Sequence, residues 1–304
     1  MAILGLDEKE YFAKGHRACA GCAEALALRL ILKVAGENTI VVHCTGCMEV
    51  VSTPYPETAW RVPWIHGAFE TNSAIASGVE RALKVQGKTD TKVLVLGGDG
   101  GTYDIGFQGL SGAFERGHNI TYICTDNEAY MNTGIQRSGA TPYGASTTTS
   151  PAGKVSIGKE EQKKDLVSIM ASHGSPYVAT ASVGYHADLI RKVKQALETK
   201  GPTFLNVYCT CVPGWKTDPM QSIKILKLGV ETGATPLYEI IDGVYKLNMP
   251  QDPNSLKPVE EYLKLQGRFR HLFKPQPKTE EIAKIQADVK NKITCLKEKS
   301  GKKC

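Results

Sequence analysis

The sequence lacks several features that would place it in a large class of proteins. No apolar run is long enough to span a bilayer, and the N-terminus has no apolar core typical of a secretion signal. No Gly-x-x-x-x-Gly-Lys-Ser/Thr motif is present, which disfavours a nucleoside triphosphatase. The net charge of +6 is modest and concentrated in the lysines of the tail (297–303), so it gives no indication of nucleic-acid binding and favours a solvated tail or a docking surface for an acidic partner. We therefore expect a cytoplasmic protein that binds neither membrane nor nucleic acid.

Cysteine is abundant instead, with nine residues among 304. In a reducing compartment thiols are better metal ligands than disulfide partners. The sequence contains CxxC pairs at 19–22 and 44–47 and a CxC at 209–211. Spacing alone leaves three interpretations open: a four-thiolate zinc site on both CxxC pairs, a [4Fe–4S] cluster that takes a late cysteine as its fourth ligand, or buried core thiols.

Short apolar strands alternate with helices along most of the chain. The pattern predicts strands at 39–43, 92–96, 120–125, 177–182 and 203–208, and helices at 23–35, 71–85, 106–116, 164–171 and 187–199. This alternation predicts an α/β fold whose parallel sheet is covered by helices on both faces. A long functional or mobile loop is predicted at 134–158, which is rich in Gly, Ser, Thr and Pro.

The pattern weakens after about residue 216. Prolines at 250, 253 and 258 suggest an extended arm, and 280–299 predicts one polar helix. We therefore expect an α/β domain over residues 1–215 and a C-terminal arm over 216–304, which packs on the core or on partner subunits.

A Gly-Asp-Gly sequence at 98–100 follows one predicted strand, and Asn127 follows the next. Glycines let a ligand approach the backbone closely, and a helix that begins just beyond favours phosphate. Because the two strands are one βα unit apart, we expect Asp99 and Asn127 to be neighbours at the carboxyl edge of the sheet. Their oxygens suit Mg²⁺ that bridges a diphosphate.

These motifs resemble those of a known family. The Gly-Asp-Gly sequence with its Asn resembles the thiamin diphosphate motif, and 126–136 (DNEAYMNTGIQ) closely resembles the β subunit of pyruvate:ferredoxin oxidoreductases. Segments 15–22 (GHRACAGC) and 260–270 (EEYLKLQGRFR) extend the resemblance over nearly the whole chain before residue 274. The resemblance implies a thiamin diphosphate-binding fold.

The resemblance also implies roles for individual residues. Asp99, the side chain of Asn127 and the carbonyl of Ala129 would hold Mg²⁺. Asn132 would be catalytic, donating a hydrogen bond to negative charge that develops on the substrate oxygen. The implied cofactor-binding set is Gly98, Asp99, Gly100, Asn127, Ala129 and Asn132.

For the cysteines, the resemblance implies a [4Fe–4S] cluster held by Cys19, Cys22, Cys47 and Cys211. Thr210 stands where the family tends to have Pro, and Cys209 competes as the fourth ligand. The other assignments are Cys44 as a spare thiol near the site, Cys124 as a core residue, Cys295 and Cys304 as unliganded tail thiols, and His16 as a residue that orients the loop.

The implied activity is oxidative decarboxylation of pyruvate with coenzyme A to acetyl-CoA and CO₂, with electrons passing through the cluster to ferredoxin. The thiamin-activating Glu would come from another subunit, because Glu70 and Glu128 have no motif support and Glu128 is expected to be a local cap or surface partner. The implied partners are an α subunit with that Glu, a γ subunit and a ferredoxin-like δ subunit. A branched-chain or oxalate-like 2-oxoacid is the alternative substrate, and a zinc-stabilised binding module is the alternative class.

Overall fold

The computed structural model describes residues 4–6 and 8–302, so the predicted tail residues Lys303 and Cys304 lie outside it. The described strands are β1 (Thr39–Cys44), β2 (Trp64–Gly67), β3 (Lys92–Gly98), β4 (Thr121–Asp126), β5 (Tyr177–Ser182), β6 (Thr203–Tyr208), β7 (Leu237–Ile241) and β8 (Val244–Met249). The α-helices are α1 (Ala23–Ala35), α2 (Cys47–Ser52), α3 (Asn72–Val85), α4 (Phe107–Glu115), α5 (Leu166–Ala171), α6 (His186–Glu198), α7 (Val212–Trp215), α8 (Ser222–Glu231), α9 (Val259–Leu263) and α10 (Thr279–Lys299).

The described strands form one sheet in the order β2-β1-β3-β4-β6-β5-β7-β8. The strands from β2 to β5 in that order are parallel, and β7 and β8 continue the sheet as an antiparallel hairpin. The predicted α/β fold is therefore confirmed. Residues 237–249, which lie in the region predicted as a C-terminal arm, form this hairpin and so extend the same sheet. The predicted domain boundary at residue 215 stays a prediction.

Helices cover both faces of the sheet, and β3 shows why. Leu94 and Leu96 pack in the cluster beneath α1 and α6, whereas Val93 and Val95 pack in the cluster beneath α3, α4 and α5. Successive side chains of a strand point to opposite faces of the sheet. A strand with four consecutive apolar residues, such as 93–96, therefore needs helices on both faces to bury them. The C-terminal helix α10 joins the second cluster through Ile293 and Leu296.

Each predicted strand and helix agrees closely with an observed one, but β2 and α2 were not predicted. The elements α7, α8, α9, β7 and β8, which lie at or within the region predicted as an arm, were not predicted either. The loop 134–158 contains no α-helix and no named strand, as its composition indicated. It is nevertheless anchored to the rest of the chain, for example by the backbone hydrogen bond from Ser146 N to Arg268 O (3.0 Å). None of the helices in the described part of the chain has the length and apolarity that a bilayer crossing requires.

Candidate functional site

The carboxyl ends of β3 and β4 form the centre of the site. These strands are adjacent and parallel with Gly98 opposite Thr125, so Asp99 and Asn127 leave the sheet at the same edge. Both side chains are buried and line one cavity. The sequence prediction that the two residues are spatial neighbours is confirmed.

Asn127 has one unused hydrogen-bond acceptor. Its Nδ2 donates to Glu24 Oε2 (2.9 Å), and its backbone carbonyl accepts from Trp215 Nε1 (2.8 Å). Its Oδ1 is buried and has no hydrogen-bond partner among the described residues. A buried amide oxygen without a partner is costly unless a ligand completes it. This oxygen is therefore suited to a hard cation such as Mg²⁺.

Asp99 lies in an environment rich in carboxylates. Ser138 Oγ, from the long loop, donates to Asp99 Oδ2 (2.5 Å). Burial and the nearby charge of Asp126 raise the pKa of Asp99 well above its ordinary value. Lys163 pairs with Asp126 (2.6 Å) and Glu128 (3.0 Å), and within the described residues Asp99 has no ion pair of its own. A cation bound at Asp99 would relieve this excess of negative charge.

The glycines on either side of Asp99 differ in what surrounds them. A Cβ on Gly100 would lie 2.6 Å from the Tyr130 ring, whereas a Cβ on Gly98 would meet no described atom within 4 Å. Gly98 therefore borders open space in the cavity, where a ligand could approach the backbone. After Asp99 the chain forms a π-helix, Gly100–Ile105, a feature frequent at functional sites.

The remaining predicted cofactor residues also line this cavity. Ala129 and Asn132 border it together with Thr45, Met131 and other residues of the same loops. Cys47 lines it as well, and the Asn132 amide lies close enough to the Cys47 thiol to offset part of the rise in its pKa. The cavity therefore shares a wall with the cysteine loops.

The structure brings the four cysteines predicted as cluster ligands into one neighbourhood. Cys19 and Cys22 form a turn before α1 (Cys22 N to Cys19 O, 3.0 Å), Cys47 begins α2, and Cys211 precedes α7. Burial, with smaller contributions from the neighbouring Glu24, Cys22 and Cys19, raises the pKa of Cys211 to about 12. Burial also raises the pKa of Cys47, with Glu24, Cys211 and Cys22 adding to the effect.

The four thiols are gathered but not closed around a common centre. No three His, Cys, Asp or Glu side chains within residues 4–6 and 8–302 are already placed to hold a metal ion. Cys19 is exposed, whereas Cys22, Cys47 and Cys211 are half-buried. A cluster bound by these four thiols would require their loops to rearrange.

The other cysteines lie elsewhere. Cys44 is buried on β1, with its Sγ 3.0 Å from where a Cβ on Gly101 would sit. Cys209 is fully buried in the core beneath α1, and its thiol donates to Val207 O (3.4 Å). Cys124 is a core residue as predicted, and Cys295 is exposed on α10.

Three further predicted residues can now be placed. His16 accepts a hydrogen bond from Ala18 N (3.4 Å) and stacks on Phe12, which fits a loop-orienting role. Glu70 is exposed, and neither Glu70 nor Glu128 is among the described residues that line the cavity. The expectation that Glu128 is a surface partner was wrong, because it is buried at 3 % exposure.

Glu128 belongs to a buried ionic network that the sequence did not indicate. Arg268 donates to Glu128 (2.5 Å) and lies 3.8 Å from the centre of the Trp215 ring. Burial alone would raise the pKa of Glu128, but the charges of Lys163 and Arg268 hold it below its ordinary value. The network connects the segment 260–270 to the loop that carries Asn127.

Sequence reasoning also missed Glu24 and Ser138, which contact the metal-ligand candidates directly. Glu24 is 4 % exposed in the first turn of α1 and accepts from both Asn127 and Thr125. Acidic residues are common in the first turn of a helix because the helix dipole favours negative charge there. The position of Glu24 in the sequence therefore did not indicate that it is buried. A serine within a Ser/Thr-rich loop gave no signal either.

Comparisons with known proteins identify a family model and related sequences. The family described as thiamine pyrophosphate enzyme, C-terminal TPP binding domain, matches residues 44–207. Pyruvate synthase subunit PorB of Methanothermobacter thermautotrophicus is 58% identical over 90% of this chain and 94% of its own length. Ketoisovalerate oxidoreductase subunit VorB of Pyrococcus furiosus is 46% identical over 89% of each chain.

A solved structure supports the fold. A chain of 2-oxoglutarate:ferredoxin oxidoreductase from Magnetococcus marinus superposes with a TM-score of 0.58 over 73% of this chain and 81% of that one. At 20% identity the likeness extends to the fold alone.

Proposed function

The chain belongs to the pyruvate synthase PorB family of thiamin diphosphate-dependent 2-oxoacid oxidoreductases, and from this premise we propose its reaction. The reaction is the oxidative decarboxylation of pyruvate with coenzyme A to acetyl-CoA and CO₂, with two electrons leaving one at a time for ferredoxin. The 58% identity to a pyruvate synthase subunit supports pyruvate as the substrate. The 46% identity to a ketoisovalerate oxidoreductase subunit keeps a branched-chain 2-oxoacid as the second candidate.

The observation that carries the proposal is the unpartnered Oδ1 of Asn127 beside the buried Asp99 at one edge of the sheet. In our proposal Asp99, Asn127 Oδ1 and the carbonyl of Ala129 hold Mg²⁺. Gly98 lets the diphosphate lie close to the backbone. Gly100 stays in the proposed cofactor-binding set because it lines the same cavity, where it leaves room for the Tyr130 ring. Bound thiamin diphosphate supplies the reactive carbon and the electron sink for decarboxylation, while the protein supplies position and electrostatics.

Asn132 is the residue that we propose acts on the substrate. It lines the cavity and carries an amide that can donate a hydrogen bond. Asn132 is exposed in the chain, so its amide is open to a ligand in the cavity. A hydrogen-bond donor aimed at a substrate oxygen stabilises negative charge as it develops there. We therefore assign Asn132 to the 2-oxo group of the bound acid.

We propose that Cys19, Cys22, Cys47 and Cys211 hold a [4Fe–4S] cluster that accepts the electrons. The mutual proximity of these thiols supports the set, and the burial of Cys209 in the core supports Cys211 as the fourth ligand. A zinc site on the two CxxC pairs would need Cys44 as a ligand. The Cys44 thiol is instead buried on β1 against Gly101, which argues against that site. Iron, sulfide and zinc analysis of protein purified without oxygen separates the two metals.

The thiamin-activating Glu would come from a partner subunit. Glu70 is exposed and Glu128 is occupied by Lys163 and Arg268. The partners are an α subunit that supplies the Glu, a γ subunit and a ferredoxin-like δ subunit. Coenzyme A and ferredoxin are the other reactants of the assembled enzyme.

The experiment is an assay of the chain alone and of the reconstituted complex. Each is supplied with Mg²⁺, thiamin diphosphate, coenzyme A and a dye acceptor, and pyruvate is compared with 3-methyl-2-oxobutanoate. We expect turnover only in the complex and a higher kcat/KM for pyruvate. Turnover by the chain alone would contradict the proposal that a partner subunit supplies the thiamin-activating Glu. A higher kcat/KM for 3-methyl-2-oxobutanoate would identify a branched-chain 2-oxoacid as the substrate.

A further inference from the structure

Glu24 links the first cysteine pair to the proposed magnesium site. It lies two residues after Cys22, and its carboxylate is buried in the first turn of α1. Its Oε2 accepts from Asn127 Nδ2 (2.9 Å), and its Oε1 accepts from Thr125 Oγ1 (2.9 Å). Both carboxylate oxygens are therefore already engaged by side chains of the β4 end.

We propose that Glu24 is a positioning residue that sets the orientation of the Asn127 amide, an inference that rests on the magnesium site proposed above. An amide can rotate by half a turn and exchange its oxygen and nitrogen. The nitrogen would then face the cavity and present two donors to a cation. A carboxylate only accepts, so Glu24 keeps Nδ2 on its own side and leaves Oδ1 for the metal.

The other contacts of Asn127 do not fix this orientation. Trp215 Nε1 holds the backbone carbonyl of Asn127, which constrains the chain but not the side-chain amide. Among the described residues, Glu24 is the one partner to which the side-chain amide of Asn127 is hydrogen-bonded. Residues that orient a metal ligand in this way contribute substantially to metal affinity, typically 10- to 100-fold.

The role requires an acceptor rather than a negative charge. Gln at position 24 keeps one acceptor oxygen for Asn127 Nδ2. Its amide nitrogen can donate to Thr125 Oγ1, because that hydroxyl has a second acceptor at Gly97 O (3.4 Å). Ala at position 24 removes the acceptor and leaves the amide free to turn.

The test uses the assembled complex after removal of Mg²⁺ and thiamin diphosphate with EDTA. Mg²⁺ is titrated at fixed thiamin diphosphate, with tryptophan fluorescence as the signal. We expect Glu24→Ala to weaken Mg²⁺ binding by roughly 10- to 100-fold, and Glu24→Gln to bind close to the wild-type level. In an Asn127→Ala background, Glu24→Ala should cause no further loss, because the two residues act as one unit.

Three results would overturn the assignment: Glu24→Ala binding like the wild type, Glu24→Gln as weak as Glu24→Ala, or additive losses in the double variant. Failure of the wild-type complex to bind Mg²⁺ and thiamin diphosphate would instead overturn the proposed function.

A pair of substitutions that moves the negative charge from position 24 to position 127 gives a test that creates no cavity. Asn127→Asp sets two carboxylates against each other and should weaken binding, and Glu24→Gln in the same chain should restore part of it. An absence of restoration in a folded double variant would contradict the positioning role.

Discussion

Asn132 and Cys47 line the same cavity, and the Asn132 amide lies close enough to the Cys47 thiol to offset part of the rise in its pKa. The residue that we assign to the substrate therefore lies beside a residue that we assign to the cluster. Cys47 begins α2 at this wall of the cavity. In the proposed enzyme an electron that leaves the cavity would reach the cluster at this wall.

The first prediction is that the Asn132 amide, which lies near Cys47, donates a hydrogen bond to a sulfur of the bound cluster. A hydrogen bond to a cluster sulfur favours the reduced, more negative state. Losing one bond of about 1 kcal/mol should therefore lower the reduction potential by about 40 mV for a one-electron couple. We expect Asn132→Leu to show this shift and a large fall in kcat, measured by a redox titration followed by EPR. The exposed Asn254→Leu is the control, and an unchanged potential in Asn132→Leu would contradict this hydrogen bond.

The second prediction distinguishes the two late cysteines. We expect Cys211→Ser to lose the cluster, because Cys211 lies among the other proposed ligands. Cys209→Ser should keep about four iron atoms per chain, since a hydroxyl can also donate to Val207 O. Iron and sulfide content, with the EPR spectrum of the reduced protein, measures both variants. If Cys209→Ser lost its iron and Cys211→Ser kept it, Cys209 would be the fourth ligand of the cluster in place of Cys211.

Much of the sheet could be predicted from the sequence, because each buried strand is a short apolar run that ends in a polar or glycine-rich turn. The strands at 177–182 and 203–208 have the predicted bounds. The edge strand β2 was missed because its four residues (Trp64–Gly67) form too short a run to show a period. The meeting of Asp99 and Asn127 was also predictable, since parallel neighbours end at one edge.

The supporting residues were not predictable. Arg268 lies 140 positions from Glu128, and their ion pair depends on how the C-terminal segment packs against the sheet. Glu24 and Asn127 are 103 positions apart. Charged residues are usually exposed, so the sequence pattern favoured a surface position for Glu128. Such long-range pairings arise from tertiary packing and leave no local periodicity.

The third prediction uses the glycines on either side of Asp99. Gly98→Ala should leave the stability of the cofactor-free protein unchanged, because no described atom would meet the new methyl within 4 Å. It should weaken thiamin diphosphate binding if the diphosphate lies there. Gly100→Ala should destabilise the protein by about 1–3 kcal/mol, because its methyl would press on the Tyr130 ring. Thermal unfolding and cofactor titration of both variants provide the comparison. Normal thiamin diphosphate binding by Gly98→Ala would show that the diphosphate does not lie against Gly98.

The fourth prediction concerns the acid stability of the hairpin of β7 and β8. Glu239 is fully buried on β7, and it accepts from Tyr177 Oη (2.9 Å) and Arg191 Nη1 (3.0 Å). Burial alone would raise the pKa of Glu239, but Arg191 and Tyr177 outweigh it and lower the pKa to about 2. The unfolded chain has a Glu pKa of about 4.3. Because the folded pKa is the lower one, this stabilisation is fully present above about pH 4.3 and is lost as pH falls through 2.

Glu239→Gln should therefore destabilise the chain at pH 7, on the order of 2 kcal/mol, and the difference from wild type should shrink steadily below about pH 4. Urea unfolding followed by tryptophan fluorescence between pH 7 and pH 3 measures this dependence. Glu198→Gln is the matched control, because Glu198 is exposed and lies 3.9 Å from Lys194 at the surface. A difference between Glu239→Gln and wild type that stays constant with pH would mean that the carboxylate charge does not stabilise the hairpin. The hairpin would then depend on packing and backbone pairing alone.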